Sequence, residues 1–151
     1  GAAARWTTAP AAVSGSGDGQ VSGAYNVASA APEPESRKFW DHLRRAGFVA
    51  GSGYNQPFNA VTGMIGVQTG NAASPVAAAL GGFVSLIICS ANLPDKIAIA
   101  VDTQMDDGII GTGTVRGQLH TAGPNPAINN APDAAAYVET GTSVYTLCRA
   151  L

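Results

Sequence analysis

Residues 86–115 read LIICSANLPDKIAIAVDTQMDDGIIGTGTV, and the order they imply, strand, cap, helix, acidic turn, strand, decides how the rest of the chain is read. Leu86, Ile87, Ile88 and Cys89 form a short apolar run, rich in β-branching, of the kind a strand buried on both faces carries. Asn92 offers a side-chain oxygen to a helix N-terminus. Asp95 follows three residues later, where a capping-box partner reaches back, and Pro94 falls in the first turn, where its missing N–H costs nothing. A helix is therefore expected to start near Leu93. Stepping about 100° per residue puts Leu93, Ile97, Ala98, Val101 and Met105 on a packing arc and Asp95, Lys96, Asp102, Thr103 and Asp106 on a wet one. Ile99 breaks the pattern by falling in the middle of the polar arc. Gly108 can supply the positive φ of a C-cap, Gly111 and Gly113 loosen the turn, and Val115 resumes an extended pattern.

The 151 residues are one domain's worth, enough for a single core. Charged residues are only 12% of the chain, against 19 glycines and 9 prolines, which points to a loop-rich protein rather than a helical bundle. A net charge of −2 argues against nucleic-acid binding by bulk electrostatics, so nucleic acid is not expected as a partner. Two cysteines are present, Cys89 in the expected core strand and Cys148 near the end. In a cytosolic chain they read as two buried thiols. The scarcity of lysine and the many small polar residues favour an exported chain in which they pair. Such a bond closes a loop of about 60 residues, worth roughly 4 kcal/mol. No secretory signal is visible and no apolar run approaches the ~20 residues of a membrane span, so an exported chain would have lost its targeting segment.

Residues 1–35 are rich in Ala, Gly, Ser and Pro without periodicity and read as a flexible N-terminal arm, with the globular domain expected over 36–151. Gly15 to Gln20 carries a lone Asp18, too few oxygens for a calcium loop, and reads as a turn. From Ser36, SRKFWDHLRRAGF places Phe39, Trp40, Leu43 and Ala46 on one helical face, with Ser36 able to cap and Gly47 able to terminate. The outer face carries Arg37, Lys38, Arg44 and Arg45. These four are either a solvated face complementing the helix dipole or a basic patch for an acidic partner. Further strands are expected over 60–69, 80–90 and 114–120, with a small-residue link at 72–79 and a loop over 121–132. A final hairpin is expected to pair 135–139 with 143–149.

Chemistry is sparse. His42 and His120 stand far apart without ligand-spaced partners, and no nucleophile signature accompanies them, so neither a zinc site nor an enzyme is expected. Asp106 and Asp107 are adjacent and expected to point apart, while Asp102 and Asp106 share a helical face. Calcium is conceivable there, but two carboxylates on a wet helix usually hold no ion, and no metal and no cofactor are expected.

The order of these pieces resembles the soluble part of a type IV pilin-like protein, of the minor pilin or pseudopilin kind. It runs from a glycine-rich turn, GSGDGQV, through a short helix, FWDHLRRAGF, to a strand ending in a cysteine. That cysteine leads into a helix closing on DDG with a downstream TG, and a second cysteine follows in YTLCRAL. The resemblance implies an α+β ectodomain, a small antiparallel sheet packed against a helix, with long glycine-rich loops and a C-terminal disulfide. It also implies a structural role in a surface filament or secretion pseudopilus, at the periplasm or cell surface. Other pilin or pseudopilin subunits would be the partners, and anchoring in the inner membrane would use an apolar helix that this sequence does not contain. One departure is Ile109-Ile110, where such sequences carry polar residues or proline. Read as exposed, these two and Ile99 are candidate subunit contacts. The alternative is a secreted binding module for carbohydrate, calcium or DNA.

Overall fold

The computed structural model describes residues 1–70, 79–120 and 123–151. The chain is α+β. In order it forms α1 (Ala2–Arg5), α2 (Glu35–Arg45), β1 (Ile65–Thr69), α3 (Ala79–Gly82), β2 (Leu86–Pro94), α4 (Asp95–Met105), β3 (Val115–His120) and β4 (Val144–Ala150). The four strands make one antiparallel sheet in the order β1-β2-β4-β3. The small-residue link expected at 72–79 lies almost wholly outside the described residues.

β2 and β4 are the two inner strands, and Cys89 stands directly opposite Cys148 across them, bonded into a disulfide. Both cysteines are buried, so the bond sits inside the core rather than on its rim. A bond of this kind belongs to an oxidising, non-cytoplasmic compartment.

β2 runs longer than the apolar run alone indicates because it contains a bulge. Ser90 faces Leu147 and Leu93 faces Tyr145, so Ala91 and Asn92 together oppose one residue of β4. Asn92 takes the left-handed conformation the bulge requires, with φ 57°, which its short amide side chain tolerates. The extra residue turns Leu93 to the opposite sheet face from Ile87 and Cys89. One face packs Ile87, Cys89 and Cys148 with Tyr25, Ala79, Leu80 and Phe83. The other packs Leu93, Tyr145 and Leu147 with Ala98, Ile110 and Val115 under α4.

Several expectations are corrected here. Asn92 does not cap α4, which starts two residues later than expected with Pro94 at its N-cap and no side-chain cap bond. The Asn92 amide instead donates to the carbonyl of Val61 at 2.9 Å, tying the bulge to the loop before β1. The 80–90 strand begins only at Leu86, since Leu80, with φ 45°, belongs to the turn of α3. No strand forms over 135–139, because β4 takes its two ladder partners from β2 and β3.

The 1–35 stretch has little regular structure, yet it is not a loose arm. Tyr25 is fully buried in the disulfide-side core, where its backbone N–H donates to Gln68 Oε1 at 2.8 Å. Burial raises the Tyr25 hydroxyl well above the ordinary tyrosine range, against a smaller opposing effect of the Thr146 hydroxyl. Trp6 stacks on His42 of α2 with ring centroids 5.8 Å apart. Partial burial pushes the Glu35 carboxyl up, but the amides of Ser16 and Ser22 outweigh it and hold Glu35 at about 2, well below the carboxylate range.

Candidate functional site

α4 presents the sheet with a face that periodicity does not anticipate. Asp95 and Asp102 are buried, whereas Ile97 and Met105, expected to pack, are 40% and 45% exposed. The reason is that each inward carboxylate meets donors from far along the chain. Asp95 Oδ2 accepts the backbone N–H groups of Thr140, at 2.8 Å, and Gly141, at 2.6 Å, while Oδ1 accepts that of Lys96 at 2.7 Å. Burial raises this carboxyl, but those three amides and the Lys96 charge more than offset it, and the net shift is downward. Asp95 thus anchors the loop before β4 instead of reaching back to cap its own helix.

Asp102 closes the other end. It is fully buried, and its Oδ2 accepts the Tyr137 hydroxyl at 2.6 Å. Its Oδ1 is buried, and the Gly108 amide is the further group that acts on this carboxylate. Burial drives the Asp102 carboxyl upward, opposed by Tyr137 and the Gly108 amide and reinforced by the charges of Asp107 and Asp106. Tyr137 is pushed far above its usual range by burial and by the facing carboxylate.

Past the helix the chain folds the acidic turn back on itself. Asp106 Oδ2 accepts the N–H groups of Thr114, at 2.5 Å, and Val115, at 2.9 Å. Asp107 accepts the Ile109 N–H at 2.8 Å and the Thr112 hydroxyl at 2.5 Å, bonds that lower its carboxyl. Gly113 lies against the Asp106 carboxylate with φ +71°, and a Cβ there would fall 1.8 Å from Oδ2, so only glycine fits. Asp106 and Asp107, expected to point apart, are in fact drawn together. One carboxylate oxygen from each of Asp102, Asp106 and Asp107 lies within 4.8 Å of the others.

The remaining candidates separate. Ile110 is 3% exposed and sits in the α4 core, which removes it from the proposed contact surface. Its backbone explains why: the Gly117 N–H donates to the Ile110 carbonyl at 2.8 Å, pulling that residue onto β3. Ile109 stays 57% exposed, and Ile99 is half-buried rather than central on a wet face.

All four residues of the basic helix are engaged at home. Arg37 pairs with Glu33 and reaches Asn55 Oδ1 at 3.1 Å, and Lys38 donates to the Ser14 carbonyl at 3.3 Å. Arg44 donates to the carbonyls of Ala50, at 3.1 Å, and Gly53, at 2.8 Å. Arg45 pairs with Asp41 at 2.7 Å and donates to the Pro10 carbonyl at 2.8 Å. These cations fasten the N-terminal stretch and the 50–55 loop to α2, a role that periodicity alone does not reveal. The histidines are likewise placed. His42 Nε2 stands 2.9 Å from the Val13 carbonyl, and His120 Nε2 stands 3.3 Å from the Asn92 backbone nitrogen, receiving its N–H.

Two features of this region escape the sequence. Tyr137 is one, since nothing in its neighbourhood marks it as the partner of a carboxylate 35 residues earlier. The other is a groove of about 280 Å³ between α4 and the sheet, whose lining includes Ile65, Ile88, Val101, Met105 and Leu151. Among the described residues no helix is long and apolar enough to cross a membrane. No family model, no curated protein and no solved structure matches this chain.

Proposed function

We propose that the chain is the globular part of a structural, non-catalytic subunit of a type IV pilus-like filament or secretion pseudopilus, at the periplasm or cell surface. The observation that carries the reading is the ordered set of sequence pieces, from GSGDGQV through FWDHLRRAGF to the DDG turn between two cysteines. The disulfide supports it, because bonding Cys89 to Cys148 encloses α4 and the DDG turn in one covalent loop beside an antiparallel sheet. So does exposed apolar surface on α4 and just after it. Ile97, Met105 and Ile109 project outward, and Met105 also borders the groove beneath α4. On this reading these three residues, rather than Ile99 and Ile110, form the contact with other subunits. Membrane anchoring would use an apolar helix encoded upstream.

The test starts from the gene. A cleavable leader followed by an apolar helix of ~20 residues is expected upstream of Gly1. The full-length product should then enter sheared surface filaments or a pseudopilus fraction. Replacing Ile97, Met105 and Ile109 with serine should reduce that incorporation without altering the melting of the isolated domain. A product recovered only as free secreted protein, with no apolar helix in its gene, refutes the proposal.

A further inference from the structure

We infer that the groove between α4 and the sheet binds a free medium-chain fatty acid, with a tail of about ten carbons in the groove and the carboxylate on Arg149. The inference does not depend on the filament reading.

The first argument is the composition of the groove. Strand register puts Ile88, Val115 and Leu147 on the sheet face that Arg149 shares: Arg149 stands opposite Ile88 on one side and Val115 on the other, and Leu147 lies two residues before it. α4 closes over Leu93 and Leu147 but leaves Ile65 and Ile88 half-buried, and the groove runs along this boundary beside Val101. Apart from Ser90, whose hydroxyl already accepts from Asn59 Nδ2 at 2.9 Å, Arg149 is the only polar side chain in the lining. A concave apolar surface with a single cation among its walls is matched by a ligand with an apolar body and one anionic end.

The second argument is that this cation is free. The chain has eight lysines and arginines. The four on α2 are fastened at home, Arg5 lies over the Trp6 ring, Lys96 pairs with Glu139 at 3.4 Å, and Arg116 donates to the carbonyls of Leu80 and Gly81. Among the described residues, no hydrogen bond, ion pair or ring contact reaches Arg149. Arg149 is exposed, and an arginine with apolar neighbours lays its stem along them while its guanidinium stays in water, here at the mouth of the groove. That guanidinium offers a fork of donors matched to a carboxylate.

The third argument is size. An apolar cavity of about 150 Å³ admits the six carbons of benzene, so by the same packing 280 Å³ admits about eleven. One chain of about ten carbons fits, and the two longer chains of a phospholipid do not.

The experiment is a titration of the chain with dissolved sodium decanoate, followed by methyl NMR, with decanol, hexanoate and tetradecanoate in parallel. Intermolecular contacts are expected from the decanoate tail to the methyls of Ile65, Ile88 and Val101. The dissociation constant should fall near ~10⁻⁴–10⁻³ M, as for a ligand of about a dozen non-hydrogen atoms. Hexanoate, with four fewer methylenes, should bind at least about tenfold more weakly, whereas tetradecanoate should gain no more than about threefold because the groove is already full. Decanol should bind about fivefold more weakly than decanoate, and Arg149→Gln should erase that difference without changing the melt. Val101→Phe should block binding by filling the groove. Should that variant fail to fold, Arg149→Gln decides alone, since Arg149 is exposed. No saturable change at about 10 mM decanoate, ten or more times the expected range, overturns the inference. So do equal affinities for decanol and decanoate, or affinity still climbing steeply at tetradecanoate. Capture by phosphatidylglycerol vesicles without binding of dissolved decanoate overturns it in favour of a membrane surface. A dimer that decanoate dissociates, or a full-length product whose groove no longer takes decanoate, overturns it by giving the groove to a second copy or to an upstream segment.

Discussion

Ile109 and Ile110 are neighbours of identical chemistry, and truncating each to alanine should give opposite results. Ile110 is 3% exposed and packs among Leu93, Ala98, Val115, Tyr145 and Leu147. Removing three carbons there loses their transfer free energy and leaves a cavity. The surroundings cannot collapse into it readily, because they belong to the sheet and to a helix tied down at both ends by Asp95 and Asp102. Buried isoleucine-to-alanine changes cost about 2–5 kcal/mol, and a closed site such as this one belongs near 3 kcal/mol or above. For a domain of this size about 1 kcal/mol moves the melting midpoint by roughly 2–4 °C, so Ile110→Ala should melt about 6–12 °C lower. Ile109 is 57% exposed, and its truncation should stay within about 0.5 kcal/mol of the parent. Thermal melts monitored by far-ultraviolet circular dichroism, with urea titrations to check that the slope is unchanged, decide the matter. Two variants melting together, or Ile109→Ala melting lower, would refute the packing described for the acidic turn.

Reduction of the Cys89–Cys148 bond, which spans 59 residues of sequence, should lower stability by about 4 kcal/mol, visible as a large drop in midpoint between melts without and with reductant. Glu35 is held at about 2 in the folded chain against an ordinary value of 4.5, so its contribution is whole above about pH 4.5 and fades as pH falls toward 2. Glu35→Gln should therefore flatten the acid limb of a stability-versus-pH curve between those values, and an unchanged limb would contradict the bonds from Ser16 and Ser22. Asp95→Ala should destabilise the fold and speed hydrogen exchange at the Thr140 and Gly141 amides, which lose their shared acceptor. Unchanged exchange there would mean that Asp95 does not hold the loop.

How much of this was legible depends on how far each residue's partner lies along the chain. β2 and α4 are visible from local composition and period, and their existence, order and acidic turn follow from residues 86–115 alone. The orientation of α4 is not. Helical spacing assigns Asp95 and Asp102 to the wet side because it cannot see Thr140, Gly141 or Tyr137, which satisfy them from 35 to 46 residues away. The same blindness hides Tyr25, whose surroundings of Gly, Ala and Asn carry no strand or helix signal although its ring fills the core. The bulge at Asn92 shifts Leu93 between faces by a single residue, a change no alternation rule registers. The candidate site divides along this line: the three aspartates are readable as residues, whereas their convergence depends on a turn closed by the Thr114 and Val115 amides where β3 begins.

The strand order β1-β2-β4-β3 also sets a sequence of events in time. β2 and β3 emerge from the ribosome before β4, and neither can complete its pairing until that strand arrives, because the slot between them is one strand wide. Through that interval one edge of β2 and both edges of β3 stay unpaired, each a template for any extended segment nearby. The closing strand must cross from residue 143 into the middle of the sheet, a long-range step that is slow compared with forming α4. The error this order favours at high concentration is an exchange in which β4 of one copy fills the slot of another, and in an oxidising compartment the cysteines would then be sealed between molecules.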